Sequence, residues 1–473
     1  MELSSPFLKK TDMYKKMIQH QIFFDFLRFS IGSESEIPDS LKEVDWQEIY
    51  AIAKKQCLVG VLFDGIKKLP AEYVGIEKEL LLQWMAESQM LEKANVQLND
   101  AAIQVSEWFR KKGFRTCILK GQGNALMYPN PYSRTPGDID IWVEGGDKRI
   151  ISFVRSISPH EKACYHHIEF PSYKGVEVEV HYRPSFPLCF WHNRKLQKYY
   201  ERVKEEQFSH RVMLGEQGEI AIPTAEFNLI FQLTHIFSHL MNEGIGLRQL
   251  VDYYYVLCDF YKVYQNSSKI TPSLFTLKEG STSHPDPLSM VFTPPSVPPF
   301  PGDRNLRGEG GNRPTRCSEP LRSKVGGPSK VSPNCAGWDR LSIEGDNSAG
   351  STTAVTSSAS TALDVVQEEL KELGLWKFAG GIMYIMQEVF GMPASRLIVP
   401  PNEKYGRFVL NEVLEAGNFG RHDARNRFGR SKLGHNLQRV YRDIRLVRYF
   451  PGEALCEPLF RIWHFFWRMK NKK

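Results

Sequence analysis

The chain has 473 residues, 42% apolar and 12% aromatic, with 61 Lys and Arg against 54 Asp and Glu for a formal charge of +7. That length exceeds what a single core usually supports, and the apolar content is enough for large cores, so a globular protein of more than one domain is expected. The mild positive balance is compatible with an anionic ligand without demanding one, and no concentrated basic and aromatic groove marks a nucleic-acid binder.

Eight cysteines lie scattered at positions 57, 117, 164, 189, 258, 317, 335 and 456, with no Cys-x-x-Cys pair. Several fall in apolar segments, where free Cys behaves as a small buried hydrophobe. This argues for a reducing compartment and against a zinc ribbon or a disulfide scaffold. The first residues lack the apolar core of a signal peptide, and no apolar run reaches transmembrane length. A cytoplasmic location is the expectation.

Residues 1–95 read as an N-terminal helical region, with helical spacing of apolar residues over 13–29, 46–69 and 77–90. Residues 96–215 change character to an α+β core. A helix at 96–112 leads to a short strand at 116–119 and then the turn Lys120-Gly-Gln-Gly123. Gly121 or Gly123 would let the backbone approach a phosphate closely. The stretch Arg134-Thr-Pro-Gly-Asp-Ile-Asp-Ile-Trp-Val143 comes next. Side chains alternate along a strand, so Asp138 and Asp140 share one face while Ile139 and Ile141 point into the core. Two carboxylates there repel each other, and a divalent cation bridging them would remove the conflict; Mg²⁺ prefers such oxygens together with substrate phosphates.

After a helix at 147–157, two strands at 166–170 and 176–183 are expected to form a hairpin around 171–175. In Val176-Glu-Val-Glu-Val-His181 the three valines make a buried face, and Glu177, Glu179 and His181 share the other. Either glutamate would complete a three-carboxylate cluster. His181 would orient that third acid, contact the nucleotide or act as a structural hydrogen-bonding residue. His166 and His167 are adjacent, so on a strand they face opposite sides and make a poor metal pair.

The run from Ile118-Leu-Lys-Gly through Arg134, Asp138-Ile-Asp140 and Glu179-Val-His181 resembles the uncharacterised nucleotidyltransferase family of the DNA polymerase beta type superfamily. The resemblance covers roughly 97–185 by motif. It implies a small mixed β-sheet nucleotidyltransferase core, with Asp138 and Asp140 as metal ligands and Glu179 as third acid. It further implies Mg²⁺ (with Mn²⁺ as the alternative) and an NTP substrate such as ATP. Gly121 and Gly123 would shape the phosphate turn, with Lys120 and Arg134 as supporting cations. The family's usual Gly-Ser is replaced here by Lys120-Gly121-Gln122, and the third acid is Glu rather than Asp. The implied reaction moves a nucleoside monophosphate to an unidentified acceptor and releases pyrophosphate. The alternative is a catalytically inactive binding or regulatory protein on the same fold.

Residues 216–264 turn helical again, with Thr224 as a cap and apolar residues from Phe227 to Ile236. His235 and His239 lie four apart but lack the glutamate of His-Glu-x-x-His, so a position facing the cleft is expected rather than zinc binding. Arg248 and Asp252 form a second four-apart pair, either a structural tie or a substrate-side contact. Residues 265–361 are roughly half Ser, Thr, Gly and Pro, a composition expected to remain disordered and read here as an insertion splitting a helical domain. Helical spacing resumes over 362–473. It includes a glycine-rich turn at 411–423 and a Phe-, Trp- and Lys-containing end at 459–473, which would pack on the body or lie on a membrane surface.

Overall fold

The computed structural model describes residues 6–216, 218–267, 352–423, 425 and 432–471. Three helices open the chain: α1 (Pro6–Ile31), α2 (Trp46–Gln56) and α3 (Val59–Ile66). The spacing over 46–69 predicts one helix, but Cys57 takes a left-handed conformation (φ 56°) and closes α2 by donating its N–H to the carbonyls of Ala53 and Lys54. Asp45 starts α2, its carboxylate accepting the N–H groups of Gln47 and Glu48. Helix α4 (Lys78–Lys111) joins the segments expected at 77–90 and 96–112 into 34 residues, so the boundary read at 95/96 falls inside it.

The α+β core follows as β1 (Thr116–Leu119), α5 (Gly121–Ala125), β2 (Ile139–Val143), α6 (Gly146–Ile157), β3 (His167–Tyr173) and β4 (Val176–His181). The four strands form one mixed sheet in the order β1-β2-β4-β3, antiparallel except for the central β2–β4 pair. Ile139, Ile141 and Val143 join Val176, Val178 and Val180 in a core against Phe109 of α4 and Ile150 of α6. The alternation read from the sequence therefore holds on both central strands. Asp140 and Trp142 point to the other face.

That face is covered in part by elements the sequence pattern passed over. Helix α7 (Phe190–Ser209) carries only a narrow apolar line (Leu196, Tyr199, Tyr200 and Phe208) among many charged residues. A two-stranded hairpin, β5 (Arg211–Leu214) with β6 (Gly218–Ala221), follows it. Helix α8 (Ala225–Asn242) begins at Thr224, whose hydroxyl accepts the N–H of Phe227. Next come α9 (Leu247–Ser267) and α10 (Thr352–Glu372), which pack on each other and on α8. Most of the insertion expected at 265–361 lies outside the described residues. The remaining helices are α11 (Trp376–Glu388), α12 (Glu403–Ala416), α13 (Lys432–Leu446) and α14 (Pro451–Lys470).

The N-terminal and C-terminal helical regions share one apolar core: Phe23, Phe26 and Trp84 belong to the same cluster as Phe231, Tyr253 and Phe378. The sheet is thus held between two cores. Its acid-bearing edge opens where the loop before β2 meets α8 and α9. Among the described residues no helix is long and apolar enough to cross a membrane.

Candidate active site

Asp138 ends the loop entering β2, and Asp140 follows on the strand itself. Parallel pairing sets Glu179 of β4 directly beside Asp140. Oxygens of Asp138, Asp140 and Glu179 lie within 4.8 Å of one another. Glu177 is exposed, one pleat further along the strand, and Glu179 is the glutamate of this cluster. Asp140 is 5% exposed, whereas Asp138 and Glu179 are half-buried.

Three carboxylates this close repel unless positive charge is at hand. Lys120 supplies it: its Nζ lies 2.9 Å from Asp140 Oδ2, while His181 Nε2 lies within hydrogen-bond reach of Asp140 Oδ1 at 2.8 Å. His167 Nδ1 sits 3.1 Å from Glu179 Oε2. Lys120 is aimed by its backbone, whose φ of 53° precedes Gly121 at φ 41°, both in the left-handed half of conformational space. For a lysine that conformation costs about 1 kcal/mol or more. The Lys120 ammonium also meets His235 Nε2. Burial, then the Lys120 charge, push the His235 pKa well below its usual range, so the unprotonated imidazole accepts a hydrogen bond from the lysine ammonium.

The two glycines of this turn differ in role. Gly121 lines the cleft, whereas a Cβ on Gly123 would meet Ile222 at 3.1 Å, so Gly123 serves packing behind the turn. Gln122, standing where the related pattern has a small hydroxyl, is buried and turned away from the cleft to Asn99 of α4.

His166 and His167 depart from the expectation of opposite facing. His166 precedes the strand rather than belonging to it, so alternation does not apply, and its Nε2 lies 3.1 Å from His167 Nδ1. Both rings lie beside His181, at centroid distances of 5.3 and 5.2 Å. Burial, then the neighbouring histidines, lower the His166 pKa well below its usual range.

Arg134 lines the cleft, with its guanidinium buried and bound through both ends to Asp252 of α9, at 2.8 Å each. Tyr128 donates its hydroxyl to the same carboxylate at 2.7 Å. Asp252 thus gives both oxygens to Arg134, and Arg248, four residues before it, acts on it through its charge. The loop is further tied by Asn95 of α4, whose amide donates to the carbonyls of Tyr132 and Arg134, and by Thr135, whose hydroxyl donates to the Cys57 carbonyl. The left-handed turn between α2 and α3 thus reaches the segment that carries Asp138.

Arg248 donates to the Thr135 carbonyl at 3.2 Å, while its buried Nε has no hydrogen-bond partner. It lines the cleft with His235, His239 and Phe419. Phe419 is the residue that spacing could not have placed there. It sits in the glycine-rich turn after α12, takes a left-handed conformation (φ 53°, ψ 30°), and has its ring 5.0 Å from His239. Gly420 makes the turn fit: its φ is +67°, and a Cβ would stand 2.1 Å from the Glu243 carbonyl oxygen. Gly420→Ala is expected to cost about 2 kcal/mol, a typical strain penalty at such a site. Urea unfolding checks this, and an unchanged midpoint would show that the turn does not depend on that close approach.

The donor set fits a hard divalent cation. Three carboxylates converge here, two of them (Asp138 and Asp140) lining an open cleft, and oxygen ligands of this kind suit Mg²⁺ or Mn²⁺.

Residues 42–266 match the model of a family described as uncharacterised nucleotidyltransferase. Among solved structures the chain is similar to an antigenic nucleotidyltransferase-like protein from Paracoccidioides brasiliensis, at 15% identity and a TM-score of 0.21, over 36% of this chain and 77% of that one. No curated protein matches the sequence.

Proposed function

Residues 42–266 belong to the uncharacterised nucleotidyltransferase family, and from that premise we propose that the protein transfers a nucleoside monophosphate from an NTP, ATP in the first instance, to an acceptor, releasing pyrophosphate. The observation that carries the proposal is the meeting of Asp138 and Asp140, which line an open cleft, with Glu179. These three would hold Mg²⁺ or Mn²⁺, which when bound supplies neutralisation of the triphosphate charge.

The chain's own residues divide the remaining work. Lys120 is the fixed cation nearest the acids and would contact a phosphate oxygen. Gly121 would keep the adjoining wall free of a side chain. Arg248, which lines the cleft, would offer its guanidinium to the phosphates, while Arg134 is tied to α9 through Asp252. Glu179 would accept the acceptor's proton or join the two aspartates as a ligand. His181 would orient Asp140.

A second reading, a binding protein that keeps the fold without turnover, draws on one feature: both Asp140 oxygens already have partners in Lys120 and His181. The two readings part in one experiment. Cell extract is incubated with α-labelled ATP, Mg²⁺ and either the wild-type protein or Asp138→Asn. Label transferred by wild type alone is the expected result and tags the acceptor. Nucleotide binding with no transfer from any NTP to any extract fraction would favour the second reading and sink the first.

A further inference from the structure

Helix α14 is amphipathic in an unusual sense, with one side anchored and the other apolar side left open. The anchored side buries Phe460 against Tyr165 and Phe186, at centroid distances of 5.7 and 5.1 Å. Glu453 accepts the N–H groups of Leu188 and Cys189, and Glu457 pairs with Arg461. The helix therefore cannot roll to hide its other side. Along that side run Leu455, Leu459, Ile462, Phe466 and Met469, each more than half exposed. They recur every three or four residues, the spacing of one helix face. Helix α13, packed on α14, adds Leu437, Val440 and Ile444, also exposed. An exposed apolar stripe of this kind marks an interaction site.

Charge identifies the occupant. Residues 421–473 contain 14 Lys and Arg against four Asp and Glu, so this segment carries more than the whole chain's +7 and leaves residues 1–420 net negative. Both acids of α14 are buried, whereas Arg448, Arg468 and Lys470 are exposed beside the apolar stripe. Two copies meeting through this face would bring two such basic segments together. An anionic lipid surface offers instead an apolar layer for the stripe and negative headgroups for the arginines and lysines.

We propose that the α13–α14 face docks the protein on anionic membranes, with α14 lying in the plane of the headgroups. The docking is independent of the nucleotidyltransferase reading. The test is co-sedimentation of the full chain with phosphatidylcholine vesicles, with and without phosphatidylserine. Partitioning is expected to be about tenfold or more stronger with phosphatidylserine and to weaken as salt is raised. The pair Ile462→Glu and Phe466→Glu, both at exposed positions, should lower partitioning by a further order of magnitude, about the effect of two charges placed in an apolar layer. Equal sedimentation with both vesicle types, or unchanged binding by the double variant, would overturn the proposal. So would light scattering that found a wild-type dimer split by the same substitutions, since a second copy would then cover the face. If the double variant lost its circular dichroism spectrum, brominated lipid would decide with the wild type alone. Quenching of tryptophan emission on phosphatidylserine vesicles supports docking, because Trp463 borders the stripe, and no quenching refutes it.

Discussion

Asp140→Asn is expected to lower Mg²⁺-dependent nucleotidyl transfer by about a thousandfold, the loss that follows when several kcal/mol of charge stabilisation at the phosphates is withdrawn. Asparagine keeps the shape of the side chain, so the carbon skeleton still fits between Lys120 and His181. What disappears is one negative charge from a cluster whose oxygens lie within 4.8 Å. Asp138→Asn should have an effect of the same order, and Glu177→Gln should have almost none, because Glu177 stands exposed outside the cluster. Turnover with α-labelled ATP measures all three, with circular dichroism to verify folding. Near-normal transfer by Asp140→Asn would remove the assignment of this cluster as the reaction centre. A loss in Glu177→Gln equal to that in Asp140→Asn would show that the third acid had been chosen wrongly.

Asp252→Ala carries the largest expected effect on stability. Arg134 and Asp252 are 3% and 5% exposed, and their bidentate pair ties the loop before β2 to α9. Removing one partner leaves a buried guanidinium without its carboxylate, which costs about 3–5 kcal/mol. The denaturant midpoint should fall accordingly with the slope unchanged. Replacing both partners by apolar residues of similar volume, Arg134→Met with Asp252→Leu, should recover most of the loss, because no buried charge is then stranded.

The same pair makes a signed pH prediction. Burial alone would raise the Asp252 pKa, but Arg134 outweighs it and holds the carboxyl below the usual 3.8. A depressed carboxylate stabilises the fold fully above its unfolded pKa. That contribution is lost as the pH falls from there through the folded value. Wild type should therefore lose stability on acidification below about pH 4 more steeply than the Met–Leu double variant. Parallel acid-unfolding curves for the two would contradict the assignment.

Local rules carried the reading furthest where the backbone itself sets the geometry. Period-two alternation in Ile139–Val143 and Val176–His181 is a property of any strand, so the facing of Asp140 away from the isoleucines and the valine face of β4 were legible without the fold. The same rule misled at His166, which lies one residue outside β3, and the helical period misled over 46–69, where Cys57 turns left-handed. Helix α7 escaped notice because its charged residues leave too thin an apolar line to register as a helix face.

The amino-acid sequence by itself determined the α+β class of the core, an aspartate on a central strand with a second one two residues before it, and a later strand bearing glutamates, since each depends on residues within a few positions of one another. Tertiary structure alone decided which glutamate joins the aspartates, through the parallel register that sets Glu179 beside Asp140. It also decided that Arg134 binds Asp252, that Lys120 meets His235, and that Phe419 reaches the cleft from the far end of the chain. Those partners lie more than a hundred residues apart in sequence. Their meeting is fixed by how α8, α9 and the turn after α12 close over the sheet, and a short-range pattern carries no information about that closure.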